Sequence, residues 1–137
     1  MPGRRGIELH DSTVTAMRWE GPTLILRATV YVHAGDGAPG VSRGVGWFQE
    51  SEISIGDARV ERPAGEIPFD ILDGIIRVDG LVYDNVLPLP FEHFGSTRVE
   101  LEEANGEFVV AGSHINVVLK GEPGEVEEFE GLDAEDR

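Results

Sequence analysis

Apolar and polar residues alternate with a period of two along most of this chain, the spacing that puts successive side chains on opposite faces of a strand. The clearest case is residues 23–33. Leu24, Leu26, Ala28, Val30 and Val32 fall on one face, and Ile25, Arg27, Thr29, Tyr31 and His33 on the other. The first face is apolar throughout and is expected in the core. A second strong signal covers residues 97–120, where two alternating runs flank Ala104-Asn105-Gly106. Asn-Gly between such runs predicts a hairpin, because both residues tolerate positive φ. Val99 and Leu101 share a face on one limb, and Ile115, Val117 and Leu119 on the other. His114, Asn116 and Val118 alternate with that trio and form a row that could wall a site. Gly112-Ser113 predicts a bulge in the return limb.

Shorter pieces fill the rest. Residues 7–10 predict an opening strand with a turn at Asp11-Ser12, and residues 13–20 a second strand ending at Gly21-Pro22. Residues 47–55 alternate again, with Trp47, Gln49, Ser51, Ile53 and Ile55 on one side, and residues 58–61 resume after Gly56-Asp57. Asp73-Gly74 and Asp79-Gly80 predict turns on either side of residues 75–78, followed by residues 81–83. Pro88 and Pro90 exclude residues 86–95 from a central strand. Eight to ten short strands without an amphipathic helix predict an all-β antiparallel fold, a β-sandwich or β-barrel of jelly-roll or barrel-like form.

Composition adds limits. The 137 residues suit one domain with its own core: a flexible start at 1–6, a β core at 7–121 and an acidic, mobile tail at 122–137. The tail segment 121–137 carries eight acidic residues and one basic one. A net charge of −15 repels a phosphate backbone, so no nucleic-acid partner is expected. No run is long enough to span a bilayer and the basic start lacks an apolar stretch, so no membrane partner is expected and the cytoplasm is the assigned compartment. The chain has no cysteine, which excludes disulfides, thiolate metal sites and cysteine nucleophiles.

Candidate chemistry is sparse. The formal G-x-G-x-x-G at 35–40 runs into Pro39 and further glycines rather than a helix, so it predicts no nucleotide site, and no cofactor is expected. No serine sits in a nucleophile elbow. The four histidines, His10, His33, His93 and His114, show no chelating spacing, so no metal is expected; His10, His33 and His114 are the weak candidates, able to meet only if the fold brings strands together. The ligand-binding candidates are His33, Trp47, Asp84, Asn85, His114 and Asn116. For Trp47 the simpler role is core packing, and for Asp84-Asn85 a turn in which side chains bond their own backbone.

Ile7-Glu8-Leu9-His10-Asp11-Ser12, Tyr83-Asp84-Asn85, Leu87-Pro88-Leu89-Pro90 and the pair Gly121-Glu122-Pro123 and Val126-Glu127-Glu128-Phe129 together resemble a family of small bacterial all-β proteins of unknown function. The resemblance spans nearly the whole chain and implies a single-domain protein; it implies no catalytic residue. The leading expectation is a non-enzymatic binding or protein-interaction module, with an unidentified small molecule or protein as partner and a homodimer through an open sheet edge. The alternative is a small-molecule or metal-dependent enzyme whose site assembles from His10, His33, His114 and nearby carboxylates. Calcium binding, suggested only by acid density, lacks the D-x-D-x-D-G loop.

Overall fold

The computed structural model describes residues 4–35 and 44–129. They form eleven antiparallel strands: β1 (Arg4–Glu20), β2 (Thr23–Gly35), β3 (Gly44–Gly56), β4 (Arg59–Arg62), β5 (Phe69–Asp70), β6 (Asp73–Val78), β7 (Leu81–Asp84), β8 (Val86–Pro88), β9 (Phe91–Glu103), β10 (Gly106–Lys120) and β11 (Glu127–Phe129). Among the described residues no helix is long and apolar enough to cross a membrane. Past Gly35 the glycine-rich motif lies outside the described residues, as do residues 1–3 and 130–137.

One sheet runs β5-β1-β2-β3-β10-β9-β6-β7, with β8 on β1, β4 on β10 and β11 on β3. It curls until its two ends meet. Ile71 N donates to Ser12 O on β1, 2.9 Å, and Leu72 N to Glu102 O on β9, 2.8 Å, so the segment between β5 and β6 bridges the two ends. Leu9 N donates to Asn85 O, 2.7 Å, and tightens the same seam. Gly74 is needed there: a Cβ on it would stand 2.8 Å from Leu9 Cδ1 and 3.2 Å from Leu101 Cδ2. The fold is therefore a barrel-like curled sheet whose edges are largely paired.

The core follows the alternation. Leu24, Leu26, Ala28, Val30 and Val32 of β2 pack with Ile7, Leu9 and Val14 of β1, Ile53 and Ile55 of β3, Val99 and Leu101 of β9, and Ile115 and Val117 of β10. Trp47 packs against this core, as a large aromatic usually does. The predicted bulge is present, the β9–β10 register shifting between Gly112 and His114.

Three local expectations are corrected. The hairpin loop is Ala104-Asn105, since Glu103 pairs with Gly106; the buried Glu103 carboxylate accepts from Asn105 N and Gly65 N, both 2.9 Å, and fixes the turn in place of an Asn-Gly pair. Asp73-Gly74 lies inside β6, paired with Glu102 and Leu101, because the glycine serves packing there; Asp79-Gly80 does make the expected two-residue turn, both residues at positive φ. The segment with Pro88 and Pro90 yields a short outer strand, β8 on β1, and Phe91 already opens β9. Residues 127–129 of the acidic segment pair with β3.

Candidate functional site

β1 and β2 pair regularly from Arg4↔Gly35 to Glu8↔Tyr31, then resume at Thr13↔Thr29. Leu9, His10, Asp11 and Ser12 therefore face Val30 alone. Such a bulge re-aims side chains that a regular ladder would send elsewhere. Its base is held by Ser12, whose hydroxyl donates to Glu8 O, 2.8 Å, and accepts from Tyr31 N, 3.2 Å. Ser12 itself is buried. Leu9 stays in the core, and His10 and Asp11 are thrown outward. The expected turn at Asp11-Ser12 is this bulge, within a single continuous strand.

Glu8, His10 and Asp11 come together on the outside of the bulge, one ligand-capable atom from each lying within 4.8 Å of the others. His10 Nε2 is 3.6 Å from Glu8 Oε1 and 3.5 Å from Asp11 Oδ2. Both separations exceed hydrogen-bonding distance. The other Glu8 oxygen, Oε2, lies 3.5 Å from Nδ1 of His33 on β2. His33 is 4% exposed, and its Nδ1 has no hydrogen-bond partner. Burial holds the Glu8 carboxyl above its usual range, with Asp11 adding to the rise and His10 opposing it. Burial pushes the His33 imidazole below its usual value.

Glycines shape the ground beneath. His33 pairs with Gly6 on β1 and with Gly46 on β3. The imidazole fills the space over Gly6, where a Cβ would come within 2.8 Å of both Cε1 and Nε2. The Tyr31 ring covers Gly46 and is braced edge-on by Phe48, ring centres 5.0 Å apart. The Tyr31 phenol is pushed up by burial first, then by the charges of Glu127, Glu8 and Asp11.

The other predicted residues lie elsewhere. His114, half-buried on β10, is hydrogen-bonded through Nε2 to Glu92 at 2.8 Å and stacked on the exposed Phe94. It stands three strands from β1 in the sheet order. Asn116 is two residues along the same strand, paired with Ser54 and Glu92. Trp47 donates Nε1–H to Gln49 Oε1, 2.9 Å. Asn85 knots the seam: at φ 63 its Oδ1 accepts from Gly74 N, 2.7 Å, and its amide nitrogen donates to Asp84 and Asp73. His93 sits among Tyr83 and Phe91. The fold thus brings His10 and His33 to one carboxylate and leaves His114 apart.

Glu8 was not among the sequence candidates. The signal that could have found it is Glu-x-His-Asp ending in a serine, acids and imidazole packed into four residues at a strand irregularity. The same finding corrects the expectation that the chain lacks enzyme chemistry. That expectation rested on the absence of a chelating spacing, and the bulge converts Glu8, His10 and Asp11 into a candidate metal-coordinating cluster of the kind metal-dependent enzymes use.

No protein-family model, curated protein or solved structure matches the chain.

Proposed function

We propose that the chain is a metal-dependent enzyme acting on a small molecule, with a divalent transition-metal ion held by Glu8, His10 and Asp11. The observation that carries this reading is the spacing. Donor atoms bound tetrahedrally at about 2.1 Å from an ion stand about 3.4 Å from one another. The His10 contacts to Glu8 and Asp11, 3.6 and 3.5 Å, match that figure. Where this protein pairs a histidine with a carboxylate for its own sake, at His114 and Glu92, the two close to 2.8 Å.

One imidazole with two carboxylates suits zinc, manganese, iron or cobalt better than calcium, which prefers an all-oxygen shell. An ion there would supply Lewis acidity toward a water molecule or a carbonyl oxygen. The chain's own part is to present the donors on the outside of a rigid barrel, with His10 and Asp11 exposed and open to a substrate. A net charge of −15 favours the approach of cations and disfavours polyanions, so the substrate class is a neutral or cationic small molecule.

Equilibrium dialysis with Zn²⁺, Mn²⁺ and Ca²⁺ tests the metal, comparing the wild-type chain with an E8Q/H10Q/D11N variant. Zn²⁺ or Mn²⁺ retained at about one ion per chain and lost in the variant supports the reading. Equal retention by both proteins overturns it. A neutral ester such as p-nitrophenyl acetate tests the chemistry: turnover by the zinc-loaded protein should fall to background after chelation and recover on adding zinc back.

A further inference from the structure

We infer that His33 is a positioning residue for the metal: its Nδ1–H donates to Glu8 Oε2 and so holds the Glu8 carboxylate with Oε1 toward the ion. This rests on the metal reading above and deepens it.

Glu8, His10 and Asp11 supply the ligand atoms that lie within 4.8 Å of one another. His33 stands outside that set and acts on the ion only through Glu8. Its Nδ1 is 3.5 Å from Glu8 Oε2, while Oε1 is turned to His10 at 3.6 Å. The carboxylate thus gives one oxygen to the metal side and the other to the buried imidazole. Ligating carboxylates are in turn hydrogen-bonded by neighbouring groups, which fix their orientation and raise metal affinity.

The independent observation is the state of that nitrogen. Among the described residues, Nδ1 of His33 is the buried side-chain polar atom that finds no partner. A buried polar atom left unpaired is destabilising, and such groups are rare in folded proteins. Glu8 Oε2 lies just beyond hydrogen-bonding range of it. The terminal torsion of a glutamate is soft, so a small turn of the carboxylate closes the gap. An ion on Oε1 and the imidazole on Oε2 then fix that torsion from both sides.

The ring's placement is built into neighbouring positions. His33 stands between Gly6 and Gly46 in the ladder. The Tyr31 ring takes the space over Gly46, which leaves the imidazole the space over Gly6. The carbonyl of Leu87 on β8 is 3.1 Å from the point where a Cβ of Gly6 would stand, so β8 bounds the same space. The ring is confined where Nδ1 meets the far oxygen of the carboxylate. Donation from Nδ1 requires the neutral tautomer that carries its proton there.

The test uses the whole chain and the metal alone. Long-range ¹H–¹⁵N spectra of the histidine rings, recorded with and without Zn²⁺, need no substitution. In the zinc-loaded chain we expect a metal-bound Nε2 at His10 and a protonated Nδ1 at His33, its proton protected from exchange. A bare or metal-bound Nδ1 at His33 would overturn the proposal. Two variants of similar size separate the donor from the packing: H33N keeps an amide donor near the place of Nδ1, and H33L has none. Competition with a chromophoric chelator should show H33L binding Zn²⁺ about 10- to 100-fold more weakly than wild type, with H33N recovering most of the loss. Equal affinities for H33L and H33N would leave His33 a packing residue and the three-ligand site intact. If the wild-type chain binds no better than E8Q/H10Q/D11N, the metal reading itself fails and the role of His33 with it.

Discussion

The imidazole of His33 occupies the place where any side chain at position 6 would stand. The two residues are partners across the β1–β2 ladder, and a Cβ on Gly6 would come within 2.8 Å of the ring. Gly6→Ala should therefore turn the ring away from Glu8 without removing a single donor atom. We expect a lower melting temperature, the overpacking of a buried site costing about 1–3 kcal/mol, with an unchanged far-ultraviolet circular dichroism spectrum. A Gly6→Ala protein that melts like the wild type would show that the position of the ring does not matter.

Metal-free stability should carry the signature of the half-buried Glu8 and the buried His33. Glu8 has a folded-state pKa above its ordinary 4.5, so its protonation favours folding below that value and the gain is lost as pH rises through the folded value. At pH 8 its partly desolvated charge opposes folding. Glu8→Gln should raise the melting temperature of the chelator-treated protein at pH 8 and leave it unchanged at pH 4. His33 shifts the other way, below its ordinary 6.5. The unfolded chain takes up a proton that the folded ring refuses, so stability falls as pH drops below 6.5 toward the folded value. In His33→Gln that decline should shrink, measured by thermal melts between pH 7.5 and 5.5. Identical pH profiles for wild type and His33→Gln would remove this account.

Ser12 holds the bulge with two partly buried hydrogen bonds, to Glu8 O and from Tyr31 N. Ser12→Ala leaves both backbone groups without that partner, a cost of about 1–3 kcal/mol. Urea unfolding should show a lower midpoint, and hydrogen exchange should show faster exchange at the Tyr31 amide. Protection at Tyr31 unchanged by the substitution would mean that the bulge does not depend on the serine.

Asn85 separates backbone from side-chain effects at the seam. It sits at φ 63 and accepts from Gly74 N through its side chain. Asn85→Gly keeps the backbone conformation easily and loses only the side-chain bonds. Asn85→Ala loses those and adds the strain of a Cβ at positive φ, about 1–2 kcal/mol. The alanine variant should melt below the glycine variant. The reverse order would place the importance of Asn85 elsewhere than in its backbone.

Much of the fold could be read from the chain because burial alternates with a period of two along most of β9 and through the middle of β2, the second half of β3 and the second half of β10, and a ladder in register propagates that pattern. Long-range facts were less visible. Nothing local in Asp73-Gly74 distinguishes a turn from a close approach to Leu9 and Leu101, because that distinction depends on how the sheet curls. The site was half legible. His10 and His33 stood out as histidines on strands, and their meeting at Glu8 depends on a register of pairing that no spacing rule contains. His114 and Asn116 have equally good local grounds, and the sheet order carries them to another part of the barrel. Glu8 escaped notice because it is one glutamate among many in an acidic chain, distinguished only by what surrounds it.

Four residues of β1 stand against one of β2 at the bulge, three more than pairing requires. His10 and Asp11 are among that surplus, so they are carried by length that the ladder itself does not use. Chemistry on this strand can therefore vary independently of the scaffold. Other side chains set into the same two positions would meet the same neighbour, Glu8, on an unaltered frame. A chain shortened by the three surplus residues would keep the alternation on both sides of the join and offer a blank version of the same barrel, one from which the contribution of the inserted loop could be read by subtraction.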